Sequence, residues 1–298
     1  MNGRIPLRFF VVTYLWSWAI WSPLALAGLG VLQLDEGFRS VVTIPSGILG
    51  AFGPAVGACY SIWTLDGRQA LFGFLKSFLS LRFGWKVWAS IFAVFGLVNV
   101  VAWYVPELLG YDRLPMLLPS AFAFPFIWLV MVLALGGQEE IGWRAYILEP
   151  IETRFGFWAG NVVLGLVWAA WHIPLFFVPG SSQMYMPFVA FTLGLIGECF
   201  FFSWVMKASG GRPLSAVIAH GTINAFVSLF PTIVMEPDVV QVRWWIHQML
   251  VLVSIPHIKV VGRLSKSFLE SHLWRALSFT SSPHYPYPKE FLDRLSFL

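Results

Sequence analysis

The sequence predicts an all-α integral membrane protein, a polytopic bundle of about eight transmembrane helices. Of its 298 residues, 58% are hydrophobic and only 11% are charged, whereas soluble domains carry roughly 45–50% apolar and about 25% charged residues. Apolar runs of about 20 residues recur along the chain, which is the length that a helix needs to cross the hydrocarbon core. Helices satisfy their own backbone hydrogen bonds in lipid, and alternating segments typical of membrane strands are absent from the sequence.

Eight apolar runs mark the predicted spans. The first run follows Arg4 and Arg8 and ends near Ala25, a pattern shared with signal peptides, but its length favours a helix that is retained. One transmembrane domain is therefore expected over residues 1–261, followed by a polar, interfacial tail at 262–298. The runs cover residues 9–27, 41–64, 85–105, 119–138, 157–178, 186–206, 213–235 and 243–261.

The basic residues predict how the bundle is oriented. When the N-terminus is placed inside, fifteen Lys and Arg residues fall in the inner loops and tails, and three fall outside. The positive-inside rule then places both termini in the cytoplasm. A multi-pass protein of the plasma (cell inner) membrane is expected. The three outer residues are Arg39, Arg113 and Arg243, with Arg144 set aside.

Charge and cysteine content narrow the choice of partners. The net charge is +4, but the basic residues scatter among loops, so membrane lipid is a predicted partner and nucleic acid is not.

Segment 66–84 combines large apolar residues with Arg68 and Lys76, which predicts an amphipathic helix on the inner surface. Cys59 and Cys199 lie inside apolar runs without a CxxC pattern, and they are interpreted as small buried hydrophobes.

The fourth run ends in a cluster of charge, Glu-Glu-Ile-Gly-Trp-Arg at residues 139–144. Such groups are costly near hydrocarbon and are rarely kept there without a role. Glu140 and Arg144 are four residues apart and can pair on one helix face. Glu139 is rotated from Glu140 by about 100°, so it is free to point into a cavity and act as a base. The alternative is that both glutamates merely mark the cytoplasmic end of the helix.

Two later runs each contribute a histidine. Trp168 and His172 lie one helical turn apart, and so do His220 and Asn224, so each pair shares a face. Gly221 removes bulk beside His220 and is expected to admit a ligand backbone. Taken alone, each histidine is equally compatible with a hydrogen-bonded core residue or a contact between helices.

Three further ionisable groups remain. Glu198 lies in the middle of the sixth run and is expected to be protonated or paired with a His or Arg, with no chemistry assigned. His247 and His257 are predicted to be interfacial. A straight-helix count places His172 roughly 22 Å from the start of its helix, deeper than Glu139 at the inner end of its own, and the sequence does not resolve this mismatch.

The ordered set of motifs resembles a known family. Glu139-Glu140-x-x-x-Arg144, an aromatic residue four positions before His172, and His220-x-x-x-Asn224 resemble the three motifs of the CPBP family. This family, also called ABI, comprises CAAX proteases and bacteriocin-processing enzymes and includes the Rce1-type prenyl endopeptidases. The resemblance covers about residues 119–230. The family's second motif usually begins with Phe, and this chain has Trp168 there.

The resemblance implies an intramembrane endopeptidase that cleaves a membrane-anchored or lipidated protein or peptide at a site open toward the cytoplasm. Its catalytic core would lie at about residues 119–235. By the resemblance, Glu139 and His172 activate a water, and His220 and Asn224 stabilise the tetrahedral oxyanion. Glu140 and Arg144 would orient the site.

The sequence does not decide whether the site binds a metal ion, and it leaves two functions other than proteolysis possible. Glu139, His172 and His220 have the residue types of a catalytic zinc site, although no HExxH motif is present. The cofactor is therefore either none or a divalent metal such as zinc, as in a metalloprotease, with metal-independent chemistry favoured. The other functions are a transporter or ligand-binding bundle that uses the same groups for protons, and an inactive family scaffold.

Overall fold

A computed structural model of the chain describes residues 5–254. This part is built from α-helices joined by turns and short 3₁₀ segments, and it contains no strand, which confirms the predicted all-α class. The predicted tail at 262–298, the end of the eighth run and His257 lie outside the described residues. The helices are α1 (Leu7–Gly28), α2 (Glu36–Ala51), α3 (Gly53–Ser77), α4 (Trp85–Leu108), α5 (Phe124–Ala134), α6 (Glu140–Trp143), α7 (Leu148–Trp171), α8 (Phe188–Ala208), α9 (Pro213–Leu229) and α10 (Val242–Val253).

Within residues 5–254, six helical stretches are long and apolar enough to cross a membrane. The protein is therefore an integral, multi-pass membrane protein, as predicted. The expected count of about eight also includes α9 and α10, which have 17 and 12 residues in the described range. The six stretches are Leu7–Gly28, Glu36–Ser77, Trp85–Leu108, Ala121–Trp143, Leu148–Phe177 and Phe188–Ala208.

The second predicted span, 41–64, consists of two helices, α2 and α3, that meet at Phe52. Pro54 lies in the first turn of α3 and has no N–H to donate to the carbonyl of Gly50, four residues earlier. The hydroxyl of Ser17, on α1, donates to that carbonyl oxygen at 2.7 Å. Helix α2 therefore ends where Pro54 removes a backbone donor, and the hydroxyl of Ser17 supplies the replacement hydrogen bond.

Two glycines interrupt the long helices α3 and α7. The backbone leaves helical geometry at Gly67 (φ 85°) and at Gly156 (φ 76°), a left-handed region that glycine enters without steric cost. The segment 68–77 therefore forms a separate helical piece at the place where the sequence predicts an amphipathic helix. Its location on the inner membrane surface stays a prediction.

The fourth predicted span lies in the apolar stretch Ala121–Trp143, but it is not one continuous helix. Helix α5 has only 11 residues, so it is about 16 Å long, roughly half the thickness of the hydrocarbon core. The chain then turns through Gly136 (φ 130°) and a short 3₁₀ segment before α6 begins at Glu140. Glu139 therefore follows a break inside the stretch and does not lie at the end of an uninterrupted helix.

Helix α9 is the centre of the part of the bundle that carries the polar groups, because it contacts α4, α5, α6 and α8. Its Gly221 lies directly against Val132 of α5, where a Cβ atom would overlap the Val132 backbone. The expectation that Gly221 admits a ligand is therefore wrong, since the space beside it is filled by the neighbouring helix. The close approach of α5 and α9 brings the turn after α5 next to His220.

Candidate active site

The predicted site residues are enclosed within the bundle. The exposed fraction is 6% for Glu139, 0% for Glu140, 7% for His172 and 5% for His220, and Asn224 is half-buried. Charged groups this deeply buried need hydrogen-bonded partners. Each of these side chains has at least one, so Glu139 and Glu140 do more than mark the end of a helix.

Glu140 accepts hydrogen bonds from two cationic or potentially cationic groups. Arg144 Nη1 lies 2.9 Å from its Oε2 and 3.0 Å from its Oε1, which confirms the predicted pair. His220 Nδ1 lies 2.7 Å from Oε1, a contact between residues 80 positions apart. Because a carboxylate oxygen accepts, Nδ1 of His220 is the donor. Its Nε2 then donates to a further group only when the ring is an imidazolium.

Two aromatic rings and a cysteine enclose the guanidinium of Arg144. Its Cζ lies 4.4 Å from the ring centroid of Trp168 and 4.8 Å from that of Phe202, and Nη2 donates to Cys199 Sγ at 3.0 Å. Cation–π contacts of this kind strengthen when they are removed from water. Cys199 is buried as predicted, but it is also a hydrogen-bond acceptor, which its apolar sequence context does not reveal.

Glu139 lies apart from the Glu140–Arg144 pair, as the helical spacing predicts. Its Oε2 accepts a hydrogen bond of 2.9 Å from the indole Nε1 of Trp168. Its Oε1 has no hydrogen-bonded partner among residues 5–254. One buried carboxylate thus binds an arginine and a histidine, whereas in the described part of the chain the adjacent one has a single neutral donor.

His172 follows the last residue of α7, and its ring is held by the backbone. Nδ1 lies 2.9 Å from the carbonyl oxygen of Trp168, and because that oxygen only accepts, Nδ1 carries a proton. The ring packs edge-on against Trp171 and Phe191, with centroids 4.6 and 5.0 Å away. In the neutral ring Nε2 therefore has a free lone pair.

Trp168 joins His172 and Glu139, which the straight-helix count had placed at different depths. Within the described range the two side chains share no direct hydrogen bond, but one residue binds both. Trp168 is thus the residue through which the two side chains are linked.

The turn after α5 lies against His220 and Asn224, and the sequence analysis missed its role. Asn224 Nδ2 donates to the carbonyl oxygen of Leu135 at 2.8 Å, and the Gly136 N–H donates to Gln138 Oε1 at 2.9 Å. A Cβ on Gly136 would collide with Asn224 Nδ2 and crowd His220 Nε2. His220 and Asn224 thus present these nitrogens to one place, as their spacing predicts. The Gly-Gly pair at 136–137 was the available sequence signal.

Glu198 and His247 are also buried. Glu198 is 8% exposed and lies within electrostatic range of Arg144 and Glu140, but among the described residues it forms no ion pair or hydrogen bond. His247 is not interfacial: it is 2% exposed and stacks on Trp244 with the ring centroids 5.5 Å apart.

The arrangement does not fit the predicted zinc ligands. In the described part of the chain, no three His, Cys, Asp or Glu side chains converge closely enough to hold a metal ion. No catalytic step through zinc is derived from this geometry.

Comparisons with known proteins support the family suggested by the motifs. Residues 119–226 match a family model described as Rce1-like, type II CAAX prenyl endopeptidase. A 112-residue stretch is 28% identical to CAAX prenyl protease 2 of Methanococcus maripaludis, over 35% of this chain and 41% of that protein. The chain thus spans about two-fifths of the length of the curated relative it matches. The matched region contains all of the predicted catalytic residues.

Proposed function

We propose that this chain, which belongs to the Rce1-like family through residues 119–226, is an intramembrane endopeptidase. It hydrolyses a peptide bond of a prenylated, membrane-associated protein or peptide. The observation that supports this most directly is the buried carboxylate of Glu139, which has one oxygen bound by Trp168 at 2.9 Å and the other without a hydrogen-bonded partner among the described residues. The imidazole of His172 belongs to the same cluster, through the bond of its Nδ1 to the carbonyl oxygen of Trp168.

In the proposed reaction, Glu139 and His172 activate a water molecule. The free Oε1 of Glu139 and Nε2 of His172 are both proton acceptors, and general-base catalysis of this kind contributes about 10²- to 10⁴-fold to the rate. The water oxygen bonds to the substrate carbonyl carbon, and its proton moves to one of the two acceptors. The same proton is then delivered to the leaving nitrogen as the C–N bond breaks.

His220 and Asn224 stabilise the negative charge that develops on the carbonyl oxygen. The amide of Asn224 has two N–H donors, of which one is used on Leu135, and the second is available to an oxyanion. His220 donates through Nε2 as an imidazolium, with Glu140 on its other nitrogen at 2.7 Å. Preset donors in a site that excludes water are worth far more than in bulk solvent.

Glu140 holds His220 as well as pairing with Arg144. Its Oε1 accepts from His220 Nδ1 at 2.7 Å and from Arg144 Nη1 at 3.0 Å. One buried carboxyl group therefore orients a donor of the oxyanion site and is itself held by an arginine. This role is larger than the purely orienting one that the motif resemblance implied.

We also propose which substrate the protein binds, in which membrane it lies, and that it needs no metal. A prenyl group would hold the substrate in the lipid next to the bundle, with the site open toward the cytoplasm. Both termini would be cytoplasmic, and the plasma membrane is the proposed location. The chemistry of Glu139 and His172 needs no metal ion.

The test is cleavage of a fluorogenic, farnesylated CAAX peptide by the purified protein in lipid vesicles. Glu139→Gln is expected to lower kcat by at least about 100-fold, while circular dichroism and thermal unfolding remain close to wild type. Glu107→Gln is the matched control, because Glu107 pairs with Arg113 at the far end of α4. Equal turnover by wild type and Glu139→Gln would overturn the proposal.

A further inference from the structure

Trp168 contacts every motif of the candidate site. Its ring lies under the guanidinium of Arg144 at 4.4 Å and edge-on to His220, with the centroids 5.3 Å apart. Its carbonyl oxygen accepts from His172, and its indole N–H donates to Glu139, both at 2.9 Å. The side chain is 1% exposed, so these contacts are not shared with bulk solvent.

The indole N–H of Trp168 is hydrogen-bonded, whereas several other buried indoles in the described part of the chain are not. Trp143, Trp171 and Trp244 are also buried, yet their Nε1 atoms have no acceptor among residues 5–254. At Trp168 the acceptor is a carboxylate, and hydrogen bonds to charged groups are roughly twice as strong as neutral ones. An aromatic ring without an N–H would pack against Arg144 but would leave Glu139 unheld.

We propose that Trp168 is a positioning residue for the hydrolytic pair, acting through two different atoms. Its Nε1–H holds Oε2 of Glu139 so that Oε1 faces the water, and its carbonyl oxygen holds Nδ1 of His172 so that Nε2 faces the same water. The inference rests on the proposed peptidase function. It assigns to Trp168 a polar role that an aromatic ring alone at this position cannot perform.

The geometry explains why one residue can serve both groups. His172 lies four positions after Trp168, so its ring reaches back to the carbonyl that Trp168 would otherwise present to the next helical turn. The indole projects from α7 toward the turn that carries Glu139. Two hydrogen bonds to a single buried residue then restrain Glu139 and His172 relative to each other, which limits the loss of rate that small displacements cause.

The first experiment compares Trp168→Phe with wild type on the farnesylated peptide. The substitution keeps the ring over Arg144 and the backbone carbonyl but removes the N–H. We expect kcat to fall by about 10-fold or more, as for loss of a hydrogen bond to a charged group, with KM within about twofold because the N–H binds no substrate. The acid limb of the pH–kcat profile should move to higher pH, because the N–H favours the ionised carboxylate.

Trp244→Phe is the matched control. It makes the same change at a buried indole on α10, whose N–H has no acceptor in the described part of the chain. Its kcat and pH profile are expected to equal those of wild type. A Trp168→Phe enzyme with wild-type kcat and an unmoved acid limb would overturn the positioning role.

A second variant covers the case in which Trp168→Phe does not fold. Replacing Trp168 with β-(3-benzothienyl)alanine preserves the bicyclic shape and exchanges only the N–H for sulfur. The same fall in kcat and the same pH shift are expected, and their absence would overturn the inference. If the wild type does not cleave the peptide, or if Glu139→Gln cleaves it normally, the proposed function fails instead, so the two failures are distinguishable.

Discussion

Helices α1–α4 and the region from α5 to α9 bury different kinds of polar side chain. Among the described residues, the first region buries hydroxyls and one amide, whereas the second buries carboxylates, imidazoles and a guanidinium as well. The buried polar side chains of α1–α4 are Thr13, Ser17, Ser61 and Asn99. The ionisable ones of the second region are Glu139, Glu140, Arg144, Tyr146, His172, Glu198, Cys199 and His220.

The two regions differ in the partners that their buried polar side chains need. A buried hydroxyl or amide can bond to a nearby backbone carbonyl, as Asn99 does with Phe95 at 2.9 Å, so it places little demand on distant helices. A buried charge needs a partner of opposite charge, as Glu140 does. Enclosure varies within the second region, from 67% of the α8 span and 50% of Leu148–Phe177 to 22% of Ala121–Trp143, whereas each span of the first region is 33% buried.

The largest expected effect is on the buried ion pair of the second region. Arg144→Met removes the cation that lies between Trp168 and Phe202 and leaves Glu140 with His220 as its remaining partner. Breaking a buried pair from one side costs about 3–5 kcal/mol, so the free energy of unfolding in detergent micelles should fall by that order. Peptide cleavage should be lost with it.

Arg113→Met is the control for this prediction. Arg113 also forms an ion pair, with Glu107 at 2.7 Å, but its side chain is 61% exposed. Exposed pairs contribute little because water screens them, and no measurable change in unfolding is expected. Similar losses in both variants would mean that the enclosed cluster does not hold the second region together.

A smaller effect is expected at the turn that precedes Glu139. Gly136→Ala adds a methyl group at φ 130°, directly toward Asn224 Nδ2 and His220 Nε2. Backbone strain of this kind costs about 1–3 kcal/mol, and displacement of the two donors should lower kcat more than it raises KM. The measurements are thermal unfolding and steady-state cleavage of the prenylated peptide.

Gly47→Ala in α2 makes the same change in the first region. A Cβ at Gly47 meets no atom within 4 Å, and Ala is favoured over Gly inside a helix by roughly 0.5–1 kcal/mol. Stability should be equal or slightly higher, with cleavage unchanged. A Gly136→Ala protein that behaves like Gly47→Ala would show that the turn does not position His220 and Asn224.

Local spacing predicted those parts of the site that lie within one helix. The four-residue separation of Glu140 and Arg144 predicted their ion pair, and the offset of Glu139 predicted that it stands apart from them. Both follow from the geometry of a single helical turn. The helices themselves were predictable because a bilayer admits few other structures.

Contacts between helices were not predictable from spacing. The bond from His220 to Glu140 joins residues 80 positions apart, and the bond from Trp168 to Glu139 joins residues 29 positions apart. Both depend on where α5 ends, and hydropathy carried the predicted span through to residue 138. Gly136 and Pro54 were visible in the sequence as helix breakers, but the apolar composition around them outweighed that signal.

The smallest effect tests the supporting role of the first region. Ser17→Ala removes the hydroxyl that donates to the Gly50 carbonyl at 2.7 Å, where Pro54 leaves that oxygen without its helical partner. The expected loss is about 1 kcal/mol in the free energy of unfolding, with kcat and KM on the prenylated peptide unchanged. Ser40→Ala, at an exposed hydroxyl that bonds within α2, should alter neither quantity. If Ser17→Ala instead lowered kcat at unchanged stability, α1 would belong to the catalytic region, and the division between the two regions would be wrong.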